Sequence, residues 1–236
     1  RGVARKVAVC SGKGGVGKTV VASLSALIAA RRGLRVGLLD LDFHGPSSHA
    51  VLGAGGAEPV EERGLVPPTV AGVKLMSVDL FARGAPLPLR GSDVTNALIE
   101  LLAVTRWGEL DLLIIDAPPG TGDELLDALR LVRGLEALVV TTPSRLSLGV
   151  VARLVALLKD AGAPILGVVE NMRQEGAGGE VEEAARGWGV RYLGWLPYDP
   201  LLEAALGDPE RLLRTRVASR LEEVLRAAGL LQGAGI

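Results

Sequence analysis

The sequence predicts an α/β fold: a doubly wound, mostly parallel sheet of seven or eight strands with helices on both faces. Three observations lead there. Short apolar runs alternate with helical stretches along the chain. Those runs are continuous rather than alternating, which marks strands buried on both faces. The 236 residues, 48% hydrophobic and 22% charged, are enough for one full core, so a single domain over 1–236 is expected.

The elements follow in order. KVAVC (6–10) reads as a buried strand, and TVVASLSALIAARRG (19–33) as a helix stopped by Gly33. RVGLLDLD (35–42) and VKLMSV (73–78) are strands, separated by a Gly- and Pro-rich excursion over 53–72 that allows a short hairpin. DVTNALIELLAVTRWG (93–108) is helical, and LDLLIIDAPPG (110–120) is a strand and turn. DELLDALRLVRG is a helix, EALVVTTP a strand, SLGVVARLVALLKDAG a helix and PILGVVENM a strand. Residues 173–180 form a polar, Gly-rich loop, GEVEEAARGWG a helix, VRYLGWLP a strand, and the last helix runs around 209–228.

Composition narrows the function classes. A net charge of −1 provides no general basic field, so no nucleic-acid partner is expected. Cys10 is the only cysteine, which excludes a disulfide within the chain and a multi-cysteine metal site. A reducing cytoplasm is the expected compartment. The N-terminus runs straight into a strand pattern, so no secretory signal is expected. No stretch of about 18 apolar residues is free of charge, so no membrane span is expected.

Gly12-x-x-x-x-Gly17-Lys18-Thr19 fits a phosphate-binding loop, following a strand and opening a helix. Small glycines let successive backbone N–H groups curl around a phosphate, and the helix adds its positive end. Lys18 is placed to reach the β- and γ-phosphates, and the Thr19 hydroxyl to ligate Mg²⁺. Such a site needs a carboxylate at the end of a neighbouring strand. Asp116 ends LLIID, and Asp40 and Asp42 lie in LLDLD; strand alternation points the last two the same way. His44 and His49, two lone histidines near a turn, read as structural or solvated.

SGKGGVGKT, LLDLDFHGPSSHAVLG, WGELDLLIIDAPPGTGDE, TTPSRLSL, GVVENM and LGWLPYDP together resemble the deviant-Walker (SIMIBI) P-loop ATPases. That group includes MinD and ParA; the GPS and PPGTGD segments look most like its Mrp, or ApbC-like, branch. The likeness covers about residues 5–225. It implies a homodimer that sandwiches ATP and Mg²⁺ and hydrolyses ATP slowly. Lys13 matches the signature lysine that crosses the dimer interface to the other subunit's nucleotide. Lys18 serves the subunit's own nucleotide, lodged in a loop of Gly12, Gly14, Gly15, Val16, Gly17, Thr19 and Val20. Val20 stands where the family often has a second threonine. Asp42 matches the aspartate that orients the attacking water beside the metal, and Asp116 the one that holds Mg²⁺ through water. Asn171 matches the adenine-binding asparagine and Pro197 the adenine-side loop.

The branch is known for carrying iron–sulfur clusters on a C-x-x-C pair after the VENM strand. Here that place reads NMRQEGAGGE, with no cysteine. A cluster needs about four thiolates, and a dimer would offer only two copies of Cys10. The expected function is therefore an ATP-gated switch in metallocluster assembly or transfer. Its partner would be a cluster scaffold or an apo metalloprotein, with no cluster held by this chain alone. Two alternatives stand beside it: a MinD- or ParA-like positioning ATPase, and a non-catalytic nucleotide-binding regulator. The tail RVASRLEEVLRAAGLLQGAGI, which carries acidic residues and no aromatic, reads as a core-packing helix rather than a membrane-surface one.

Overall fold

The computed structural model describes residues 2–43, 45–78, 80, 92–176 and 178–232. Its main sheet has eight strands: β1 (Val3–Ser11), β2 (Val36–Asp40), β5 (Thr69–Val70), β6 (Val73–Ser77), β7 (Leu110–Asp116), β8 (Leu135–Thr141), β9 (Ile165–Arg173) and β10 (Tyr192–Pro197). They lie in the order β10-β9-β8-β1-β7-β2-β6-β5, all parallel except β5 on β6. The remaining two strands, β3 (Val60–Glu61) and β4 (Leu65–Val66), form the hairpin of the 53–72 excursion.

Alternation along each strand sends successive side chains to opposite faces. Val7 and Val9 join one core with Leu38 and Ile114, while Ala8 and Cys10 join the other with Leu39 and Ile115. The first core is closed by α1 (Lys18–Arg31) and by α8 (Arg216–Ala227), which buries Val217, Leu221, Val224 and Leu225. The second is closed by α3 (Ser92–Val104), α4 (Asp123–Leu131), α5 (Arg145–Asp160) and α6 (Glu180–Gly187). Burying an apolar side chain of this size contributes about 1.5–3 kcal/mol, so the strand centres are where stability concentrates.

Register aligns the carboxyl ends of the central strands. Asp116 pairs with Val9 on one side and with Asp40 on the other, and Ser11 pairs with Val140. Strand order reverses around β1, and open α/β sheets place ligands at such a switch point.

Four differences from the sequence expectation stand out. The 35–42 strand ends at Asp40, because the Asp40 carboxylate accepts the Asp42 backbone N–H and draws the chain off the ladder. The helix expected over 93–108 stops at Val104, where the Arg106 N–H turns to the Leu65 carbonyl of the hairpin. A short helix not anticipated from sequence, α2 (Ser48–Val51), follows β2. The helix around 209–228 is two helices, α7 (Pro209–Leu212) and α8, and the Thr215 hydroxyl restarts the second by accepting the Ala218 N–H. Among the described residues no helix is long and apolar enough to cross a membrane.

Candidate functional site

The loop between β1 and α1 lies at the carboxyl edge of the sheet. Two of its glycines occupy the left-handed region, Gly15 at φ 77° and Gly17 at φ 80°. At Gly17 the constraint is also spatial, since a Cβ there would come within 2.4 Å of Asn171 Nδ2. Gly12 packs against the backbone of α5, where a Cβ would sit 3.1 Å from Val151 N. The turn after β7 is tied to the loop by the Gly120 N–H, which donates to the Ser11 carbonyl at 2.8 Å.

Lys18 opens α1 and is only 6% exposed. Its Nζ lies 2.5 Å from Asp116 Oδ1 and 3.9 Å from Asp42 Oδ2. The Thr19 hydroxyl donates to Asp116 Oδ2 at 2.6 Å. Asp116 is fully buried, and burial pushes its carboxyl up to about 6, with Lys18 opposing the rise and the negative field of Asp40 adding to it. Thr19, Asp42 and Asp116 thus converge as hard oxygen donors of the kind Mg²⁺ takes. Among the described residues no group of three or more His, Cys, Asp and Glu is arranged to hold a metal ion.

Asp40 and Asp42 separate clearly. Asp40 is wholly buried and spends its carboxylate on backbone N–H groups, while Asp42 stays part-exposed and accepts the Gly45 N–H at 3.1 Å. Lys13 sits at the exposed side of the loop and makes no ion pair with the described residues. Its carbonyl accepts the Ser11 hydroxyl at 3.0 Å, which orders the backbone and leaves the ammonium outward.

On the other side of the loop lies a cavity of about 340 Å³, lined by Gly17, Val20, Asn171, Met172 and Pro197 together with the 198–206 segment. Asn171 donates from Nδ2 to the Val16 carbonyl at 2.8 Å, so β9 and the loop are braced against each other. Met172, the next residue, adopts φ 59°, a costly conformation for a residue with a Cβ. Tyr198, Leu202 and Leu206 were not anticipated as wall residues. The signal for them was the run of apolar side chains in YDPLLEAAL directly after the strand-ending Pro197.

Cys10 is fully buried in β1, its Sγ 3.7 Å from the Ala8 carbonyl. Burial pushes the thiol up to about 12. The native protein at about pH 8 is therefore expected to resist a thiol reagent that labels one equivalent once urea is added. Rapid labelling of the folded protein would overturn this placement. His49 lies within α2, and His44 falls outside the described residues.

A phosphate loop on a doubly wound sheet, with a buried carboxylate at the end of the adjoining strand, defines a P-loop nucleotide-binding protein. The model of the NUBPL iron-transfer P-loop NTPases, of the ParA group, matches residues 2–228, and the chain belongs to that family. It is 39% identical over 225 residues to the iron–sulfur cluster carrier protein of Saccharolobus solfataricus, covering 86% of this chain and 75% of that protein. It is 37% identical over 214 residues to the carrier protein of Aquifex aeolicus, covering 84% of this chain but only 59% of that longer protein. Among solved structures, the Archaeoglobus fulgidus nucleotide-binding protein in complex with ADP is 32% identical with a TM-score of 0.76, over 90% of this chain and 88% of that one. The Pyrococcus furiosus cell-division ATPase MinD shares the fold, with a TM-score of 0.71 at 23% identity over 97% of this chain and all of that one.

Proposed function

We propose that this chain works as one Mg²⁺-dependent ATPase unit, an ATP-gated dimeric switch that assists iron–sulfur or other metallocluster transfer through a partner protein. One observation carries the reading: a single loop turns Lys18 inward onto Asp116 and Lys13 outward, without an ion-pair partner among the described residues. Two lysines of one loop then serve two nucleotides, one in each subunit.

The roles follow from position. Backbone N–H groups of Gly14 to Gly17 cradle the phosphates, and Lys18 moves from Asp116 to the β- and γ-phosphates. Mg²⁺, when bound, would supply positive charge against the phosphates. The Thr19 hydroxyl would hold it directly, and Asp116 would hold it through water. Asp42 orients the water that attacks the γ-phosphorus, as the bond to the ADP oxygen breaks. Lys13 contacts the partner's nucleotide and stabilises charge on the transferred phosphoryl, as an arginine finger does. Asn171 and Pro197 bound the adenine. Asp199 and Glu203 line the same cavity and offer acceptors to an exocyclic amine.

The cluster is cargo for a partner, because the thiol it would need does not fit. Cys10 faces the core between strands, behind the phosphate loop, and two buried copies in a dimer cannot supply the thiolates a cluster takes. The names of the relatives support the metallocluster side of this reading. A positioning ATPase has less support, since α8 spends its apolar residues on the core instead of a surface.

The test combines phosphate release with light scattering. ATP and Mg²⁺ are expected to convert monomer to dimer and ADP to reverse it; a nucleotide-independent mass would sink the switch. Anaerobic reconstitution is expected to leave no stable iron–sulfur absorbance on the isolated chain. A cluster retained at stoichiometric iron would refute the partner-borne cargo.

A further inference from the structure

We propose that Asp40 is a positioning residue for hydrolysis: it binds neither nucleotide nor metal but holds Asp42 in place to orient the attacking water. The proposal rests on the ATPase reading above and adds to it a residue with no role there.

Asp40 ends β2 and is entirely buried. Its neighbours in the sheet are Asp116 of β7 and Ser77 of β6, so it stands at the same level as the Mg²⁺-side carboxylate. Yet the Lys18 ammonium lies within ion-pair distance of Asp116 and Asp42, and no such pair joins it to Asp40. Asp40 is turned to its own loop instead. Its Oδ1 accepts the Asp42 N–H at 3.0 Å, and its Oδ2 accepts the Ser47 and Ser48 N–H groups at 3.0 Å each. One carboxylate therefore fastens both ends of the segment that carries Asp42.

The chemistry requires a carboxylate. Both oxygens act as acceptors, and three backbone donors converge on them from two directions. An asparagine keeps one acceptor oxygen and presents an NH₂ to the remaining donors, so one end of the segment is always released. Leu41 and Phe43, buried on either side of Asp42, anchor the chain to the core, and the Gly45 N–H holds one Asp42 oxygen; Asp40 fixes the Asp42 backbone between them. A displacement of about 1 Å in a catalytic group costs on the order of 10²-fold in rate.

Asp40→Asn tests this in three readouts. In the nucleotide-free protein the Asp42, Ser47 and Ser48 amides are expected to exchange hydrogen at least about tenfold faster, with the sheet amides unchanged. Steady-state kinetics are expected to show kcat down by about 10–10²-fold and KM for ATP within about twofold, the signature of misplaced catalysis rather than lost binding. In an Asp42→Asn background, adding Asp40→Asn is expected to cost nothing further in kcat, because Asp40 acts only through Asp42.

Additive losses, or a KM that rises with the fall in kcat, would overturn the proposal in favour of direct contact. An unchanged kcat with a lowered melting temperature would reduce Asp40 to a structural residue. If the wild-type chain hydrolyses no ATP, the ATPase reading fails and with it any effect on rate. The exchange data then still decide whether Asp40 orders Asp42. If Asp40→Asn does not fold, the wild-type amides decide: corrected for intrinsic exchange, Asp42, Ser47 and Ser48 should share one opening free energy, and independent values would remove the brace.

Discussion

Lys13→Ala is expected to abolish ATP-dependent dimerisation while leaving ATP binding to the single chain within about twofold, and to lower hydrolysis by about 10³-fold or more. The asymmetry follows from where the side chain stands. Lys13 is exposed, has no ion-pair partner among the described residues, and its backbone is held by Ser11 whatever the side chain is. Removing the ammonium therefore disturbs nothing within the subunit. The loss falls on charge neutralisation across the interface, where a low-dielectric, water-poor contact makes one cation count most. Light scattering in ATP and Mg²⁺ reads the dimer, and titration of a fluorescent ATP analogue reads the single-chain affinity. If the variant and the wild type give the same mass in ATP, the cross-subunit role is wrong.

The second large effect is on Lys18→Ala, which acts on binding and on stability together. ATP affinity is expected to fall by more than about 10²-fold, since charge-assisted contacts of this kind contribute about 1.5–3 kcal/mol apiece. The free protein is destabilised as well, because Asp116 loses the cation that offsets its burial. Breaking a buried pair from one side costs about 3–5 kcal/mol when the remaining charge stays ionised.

Here the sign with pH matters. Burial already raises the folded Asp116 to about 6, above its ordinary value, and loss of Lys18 raises it further. Over the window between the ordinary and the raised value the folded state holds a proton that the unfolded state has released. Stability from this group therefore falls as pH rises through that window and is restored below it. Urea unfolding is expected to show a Lys18→Ala deficit that is small at about pH 5 and full at about pH 8. A deficit independent of pH would mean that Asp116 is not the group left unpaired.

The legible parts of this chain were those set by local pattern. Continuous apolar runs marked the central strands, because a strand covered on both faces has no solvent-facing alternation to confuse it. The phosphate loop was legible because its chemistry is local: two left-handed glycines, a lysine and a threonine at the mouth of one helix. Of two elements misread, one was set by a distant partner and the other by a cap inside the segment. The helix over 93–108 is cut short by a hydrogen bond from Arg106 to Leu65, and the last helix is divided where Thr215 caps a new start. The Arg106 bond has no signature in its own stretch of sequence, whereas Thr215 is a residue type favoured at helix N-caps and marks the new start locally.

The pair of aspartates draws the same line inside the site. By alternation Asp40 and Asp42 were equivalent, two residues apart and pointing one way. Folding ends the strand between them, so that Asp40 turns to the backbone of its own loop and Asp42 faces Lys18. The sequence by itself determined the sheet, the phosphate loop, the spare lysine and the lone cysteine, since each is written in residues adjacent along the chain. Only the tertiary structure decided that Asp42 rather than Asp40 stands with Asp116 beside Lys18, and that Lys13 lies on the exposed side of the loop. Those facts depend on strands far apart in sequence arriving at one edge in register, and no local pattern encodes that arrival.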